Sequence, residues 1–135
     1  MRESSYTMFP EQHFAVVRFK TKDINLKEII KINTAYKNDE NYSKIHYPVM
    51  IFLGSNPRFK ESELDKIIQE YTQNPQKNNH IRSVFVVDTP KTTAFAHLMI
   101  SHTPEQAFYC TTLEKAYEYL SPPFSYSEFL EKVQS

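Results

Sequence analysis

Apolar and polar residues alternate along this chain with two periods, and the switches between them mark its elements. Residues 6–20, "YTMFPEQHFAVVRFK", hold two extended runs around Pro10-Glu11-Gln12. This pattern predicts a hairpin with Phe14, Val16 and Arg18 on one face and Ala15, Val17 and Phe19 on the other. In "DINLKEIIKINTAYK" the period becomes helical, with Asn25 as cap, Glu28 at the capping-box position, and Leu26, Ile29, Ile30, Asn33 and Tyr36 or Lys37 inward. The nearly continuous apolar run 47–54, "YPVMIFLG", predicts a central strand covered on both sides. "ESELDKIIQEYTQN" is a second helix, capped by Ser62, with Leu64, Ile67, Ile68 and Tyr71 inward, and "NPQKNNH" a loop. "IRSVFVV" is a strand buried on the side of Ile81, Val84 and Val86, and Thr92 or Thr93 opens a helix to about Ser101. "QAFYCT" is a short strand, and Thr111 and Glu114 cap a helix whose stripe is Leu113, Ala116, Tyr117 and Leu120. Pro122-Pro123 closes that helix, and "SYSEFLEKVQ" folds back through Phe129, Leu130 and Val133.

The order β-β-α-β-α-β-α-β-α-α implies an α/β domain with a mostly parallel four- to five-stranded sheet, an antiparallel N-terminal edge strand and helices packed on the sheet. A length of 135 residues suits a single domain over 1–135. Sixteen basic and sixteen acidic residues balance, which disfavours nucleic acid or an anionic membrane as partner. No run approaches the roughly 18 apolar residues of a membrane span. The N-terminus has no apolar signal core, and the lone Cys110 sits in an apolar run; together these point to the cytoplasm. One glycine, Gly54, removes every Gly-rich phosphate loop.

Four stretches in order, "HFAVVRFKTKDINLKEIIKI", "YPVMIFLGSNPRFKESELDKII", "IRSVFVVDTPKTTAFAHLMI" and "QAFYCTTLEKAYEYLS", resemble the SpoIIAA-like branch of the STAS superfamily, itself related to CRAL-TRIO lipid-binding domains. The resemblance covers about residues 6–121, with Tyr119 where the family often has Trp. It implies an interaction or regulatory module without a cofactor. Anti-sigma-factor antagonists of this superfamily carry a phosphorylated Ser in an Asp-Ser-Ser-Gly-like element. Its place here reads Lys60-Glu61-Ser62-Glu63, which makes Ser62 the candidate phosphoacceptor, although the neighbouring Ser and Gly are absent.

Candidate chemistry is sparse. In open α/β sheets ligands bind beyond the carboxyl ends of the strands, where helix N-termini favour anions. The residues available there are Ser55, Asn56 and Arg58 on one loop and Asp88, Thr89, Lys91, Thr92 and Thr93 on another, although Asp, Thr and Pro90 also suit plain helix capping. His13, His46, His80, His97 and His102 form no H-x-x-x-H or H-E-x-x-H pair, so no metal site is expected. No G-x-S-x-G elbow occurs, and Phe19-Lys20-Thr21 and Leu53-Gly54-Ser55 stand where a phosphoreceiver needs acids. Two functions follow as expectations. One is a non-catalytic module that binds a protein, or itself, through an apolar third helix containing Phe95, Leu98, Met99 and Ile100, unless the C-terminal helix covers it. The other is a binder of a lipid-like or anionic metabolite at the rim, near Phe52, Phe85 and Phe95.

Overall fold

The chain begins as a hairpin: β1 (Ser5–Phe9), a 3-10 turn over Pro10–Gln12, and β2 (Phe14–Arg18), paired antiparallel with Phe9 opposite Phe14. His13 closes the turn in the left-handed region at φ 58°. The computed structural model describes residues 4–19, 23–54, 56–58, 60–72, 81–101 and 106–134, with backbone alone for 56, 57, 61, 68 and 70–72. The remaining elements are β3 (Asp23–Ile24), α1 (Leu26–Lys37), β4 (Tyr47–Ile51), β5 (Asn56–Pro57), α2 (Glu61–Thr72), β6 (Arg82–Val86), α3 (Pro90–Ser101), β7 (Gln106–Cys110), α4 (Leu113–Leu120) and α5 (Tyr126–Gln134). The loop expected at 74–80 lies outside the described residues.

The main sheet has the order β1-β2-β4-β6-β7, antiparallel at β1 and parallel elsewhere. The expected α/β architecture is therefore the observed one. A small second sheet, β3 parallel to β5, went unread because two-residue strands carry no periodicity. Pro48 sits at the amino end of central β4, where its missing N–H costs little because pairing with β6 begins at Val49.

Spatial order follows chain order, so each crossover steps in the same direction. Crossovers of one hand then place α1, α2 and α3 on the same face. The core divides accordingly. Val17, Phe19, Met50, Phe52, Phe85 and Val87 meet Ile29, Ile67, Phe95 and Met99 on one side. Phe14, Val16, Val49, Val84, Val86 and Cys110 meet Ala116, Leu120, Phe129 and Val133 on the other. The crossovers leave that second face bare, and α4 and α5 return to cover it.

Several expected details hold. Asn25 caps α1, its side chain accepting from Glu28 N–H at 2.8 Å. The Glu28 carboxylate accepts from Ser4 Oγ. Arg18 does share the face of Phe14 and Val16, where it is buried (7% exposed).

Others need correction. The α4 cap is Thr112, one residue after Thr111, accepting from Lys115 N–H at 3.2 Å. Helix α3 starts at Pro90, earlier than Thr92 or Thr93, because proline is preorganised for the first helical position and Thr89 can cap it. The cap of α2 is Lys60, whose N–H donates to Glu63 Oε1 at 2.8 Å, so Ser62 is exposed inside the first turn instead. Ile81 faces away from Val84 and Val86, as the period of two requires. The inward side chains expected at Ile68 and Tyr71 lie outside the described residues.

Candidate functional site

At the carboxyl ends of the parallel strands, the loop after β6 meets the turn after β4, and the polar groups there are directed at one another. The Asp88 carboxylate accepts from the Gly54 N–H at 3.0 and 3.2 Å, tying the loop after β6 to the turn after β4. Gly54 holds φ +75°, which glycine adopts without strain and which turns its N–H toward Asp88. Thr89 and Thr92 form a reciprocal box. Thr92 N–H donates to Thr89 Oγ1, and Thr89 N–H donates to Thr92 Oγ1, each at 3.1 Å. Thr93 Oγ1 donates to the Thr89 carbonyl at 2.8 Å. These hydroxyls occupy the Thr89 and Thr92 N–H groups, two of the donors that an anion would use. Arg58 turns toward β3 and pairs with Asp23 at 3.0 Å, with both side chains more than half exposed. Lys91 is exposed in the first turn of α3. Ser55 lies outside the described residues, as does the side chain of Asn56.

The other candidates also resolve into structure. Burial pushes the Cys110 thiol pKa up, with a smaller opposing effect from a backbone hydrogen bond at Thr112, so little reactive thiolate forms at neutral pH. His13 and His46 stack at 4.5 Å, and His13 Nδ1 contacts the Lys44 carbonyl at 2.8 Å; sequence spacing had not paired them. His80 and His102 lie outside the described residues. Among the described residues, no three His, Cys, Asp or Glu side chains converge as a metal set. No helix of the described residues is long and apolar enough to cross a membrane.

The apolar surface expected on α3 is mostly spent in the core: Thr92, Phe95, Ala96 and Met99 are buried, leaving Leu98 exposed. Helix α5 does not cover α3, since it packs beside α4 on the opposite face. The exposed aromatic surface lies at the neighbouring sheet edge. Phe108 of β7 is 43% exposed and stacks on Tyr119 of α4 at 4.9 Å, and the Arg82 guanidinium lies over the same Tyr119 ring at 5.1 Å. On the other side of β7, Tyr109 meets His97 of α3 edge-on at 6.2 Å. A Phe two residues before a buried Cys in a short strand was the available signal for this surface. It could not be read as exposed until the strand was known to lie at an edge.

No family model, no curated protein and no solved structure matches this chain.

Proposed function

We propose that this chain is a non-catalytic α/β interaction module of STAS type that docks a protein through the open edge of β7, a second copy of itself being the simplest partner. The supporting observation is the state of that edge. β7 bonds to β6 and, among the described strands, to no other. Its five residues, "QAFYC", contain no charge and no proline, the usual guards of an exposed edge. The Cys110 carbonyl accepts from Val87 N–H at 2.9 Å, so Cys110 faces β6. Backbone groups alternate sides along a strand, which leaves those of Ala107 and Tyr109 directed outward. Antiparallel pairing of two such edges about a two-fold axis at Phe108 sets the two Phe108 rings side by side, as a non-hydrogen-bonded pair with close side chains.

Light scattering tests this reading. A dimer is expected, with Ala107→Pro, which removes an outward N–H, and Phe108→Glu both reverting it to monomer without loss of helical content. A monomer that also captures no partner from cell extract overturns the proposal. A buried, unpaired Cys110 is compatible with the reducing cytoplasm as its compartment. The rim reading has less support, because Asp88, Thr89, Thr92 and Thr93 already satisfy local backbone groups.

A further inference from the structure

Directly behind the open edge of β7 stands a cation that no carboxylate pairs with among the described residues. Arg82 opens β6 opposite Gln106 of β7, on the face that carries Val84 and Val86. Its guanidinium lies over the Tyr119 ring at 5.1 Å, and Tyr119 stacks in turn on Phe108 at 4.9 Å. Arg82 is half-buried, and its Nε is shielded from water yet has no hydrogen-bond acceptor. The ion pairs of α4 and α5 are made elsewhere, joining Glu118 to Lys115 at 3.1 Å and Glu128 to Lys132 at 3.5 Å.

Stacking on an aromatic ring offsets part of the charge of a guanidinium. It does not supply the acceptor that Nε lacks, and a buried donor without one is unfavourable. A strand added to β7 would lie two strand spacings from β6, about 10 Å, within the summed reach of an arginine and a glutamate side chain. In an antiparallel addition, one residue falls opposite Phe108 and another, two residues later, falls opposite Gln106 on the same face. The added strand also takes water from Arg82. If it brings no acid, the charge is further desolvated and still unpaired; if it brings one, the same desolvation strengthens the pair. Self-pairing about Phe108 sets the second copy's Cys110 opposite Gln106, so that strand brings no acid to this position.

We propose that the β7 edge selects an extended acidic peptide segment, with an apolar residue beside Phe108 and, two residues later, a glutamate that pairs with Arg82. This rests on the reading of β7 as the docking edge and names the chemistry of the segment that docks there.

Two capped peptides test it. One is acetyl-Ser-Thr-Val-Phe-Val-Glu-Ser-amide, which sets its Phe opposite Phe108 and its Glu opposite Gln106. The other has Gln in place of that Glu. Each is titrated into protein labelled with nitrogen-15. Saturable shifts of the Ala107 and Tyr109 amides are expected with both, the Glu peptide binding about tenfold more tightly. Self-pairing competes with both peptides alike, so it does not alter their ratio. Arg82→Gln should leave the Gln peptide within about twofold of its affinity and bring the Glu peptide down to it. Arg82→Lys, which keeps the charge without the planar fork, should retain part of the preference. If neither peptide shifts Ala107 or Tyr109, the edge reading itself fails and takes this inference with it. If both bind equally, if the preference survives Arg82→Gln, or if that substitution weakens both peptides alike, the edge stands and the pairing with Arg82 is overturned.

Discussion

On the α4–α5 side of the sheet, Phe14 meets Phe124 at 5.1 Å and Phe129 at 5.7 Å, and Tyr117 packs on Phe129 at 5.4 Å while donating its hydroxyl to the Phe124 carbonyl at 2.6 Å. On the α1–α3 side, Phe19, Phe52, Phe85 and Phe95 form a comparable aromatic run, but it borders a void. The first face is closed by α4 and α5, which follow β7 and are not crossovers between neighbouring strands of the sheet. The second is built from crossovers whose two ends are fixed by neighbouring strands. A helix tethered at both ends cannot always move in to fill the space beneath it, so a cavity persists where the topology is most constrained.

The largest expected effect tests whether the closed face is indeed better packed. Phe129 is fully buried, and Phe129→Ala should destabilise the fold by about 3–5 kcal/mol. Phe95→Ala, beside the void, should lose about 1 kcal/mol less, because part of its ring already lacks neighbours. Equal losses in urea titrations would remove the distinction. Next in size comes Arg18. Its Nε and Nη2 donate at 2.7 Å to the Val133 and Lys132 carbonyls, at the C-terminal end of α5 where the helix dipole favours a cation. Burial lowers its pKa, yet a guanidinium starts high enough to stay charged at any ordinary pH. Arg18→Met keeps the aliphatic stem and strands those carbonyls, so a loss of about 2–3 kcal/mol is expected. Hydrogen exchange should quicken in α5 while α1 is unchanged. Equal quickening in both helices would mean that Arg18 supports the whole sheet and not one face.

Element order and the buried faces were legible because each main strand and helix carries enough residues for its period to show: Phe14, Val16 and Arg18 were assigned to one face on alternation alone. Caps were legible to within a few residues. Ser, Thr, Asn and Glu cluster at every helix start, and only backbone geometry tells Thr112 from Thr111 or Lys60 from Ser62. The loop that carries Asp88 meets the turn at Gly54 while Arg58 turns away to Asp23, and a sequence does not show that Asp88 is used by the Gly54 N–H. The cavity was the least visible feature. Ile29, Phe52 and Met99 would read as core whether or not the space between them were filled, since a void is a property of distance and not of residue type.

The smallest effect is the most discriminating for that void. Ile32 lies half-buried on α1 and lines the cavity, so Ile32→Phe can send a ring into it without crossing the sheet. Two terms oppose each other. Filling an existing cavity commonly stabilises by about 0.5–2 kcal/mol, whereas forcing volume into a closed core costs about 1–3 kcal/mol. With about 70 Å³ available, filling should win, at the low end because Ile32 keeps partial contact with water. The expected gain is about 0.5 kcal/mol, a rise of roughly 2 °C in Tm. A loss of 1 kcal/mol or more would mean that α1 has already closed onto the sheet in solution, and the two faces would then be equally packed.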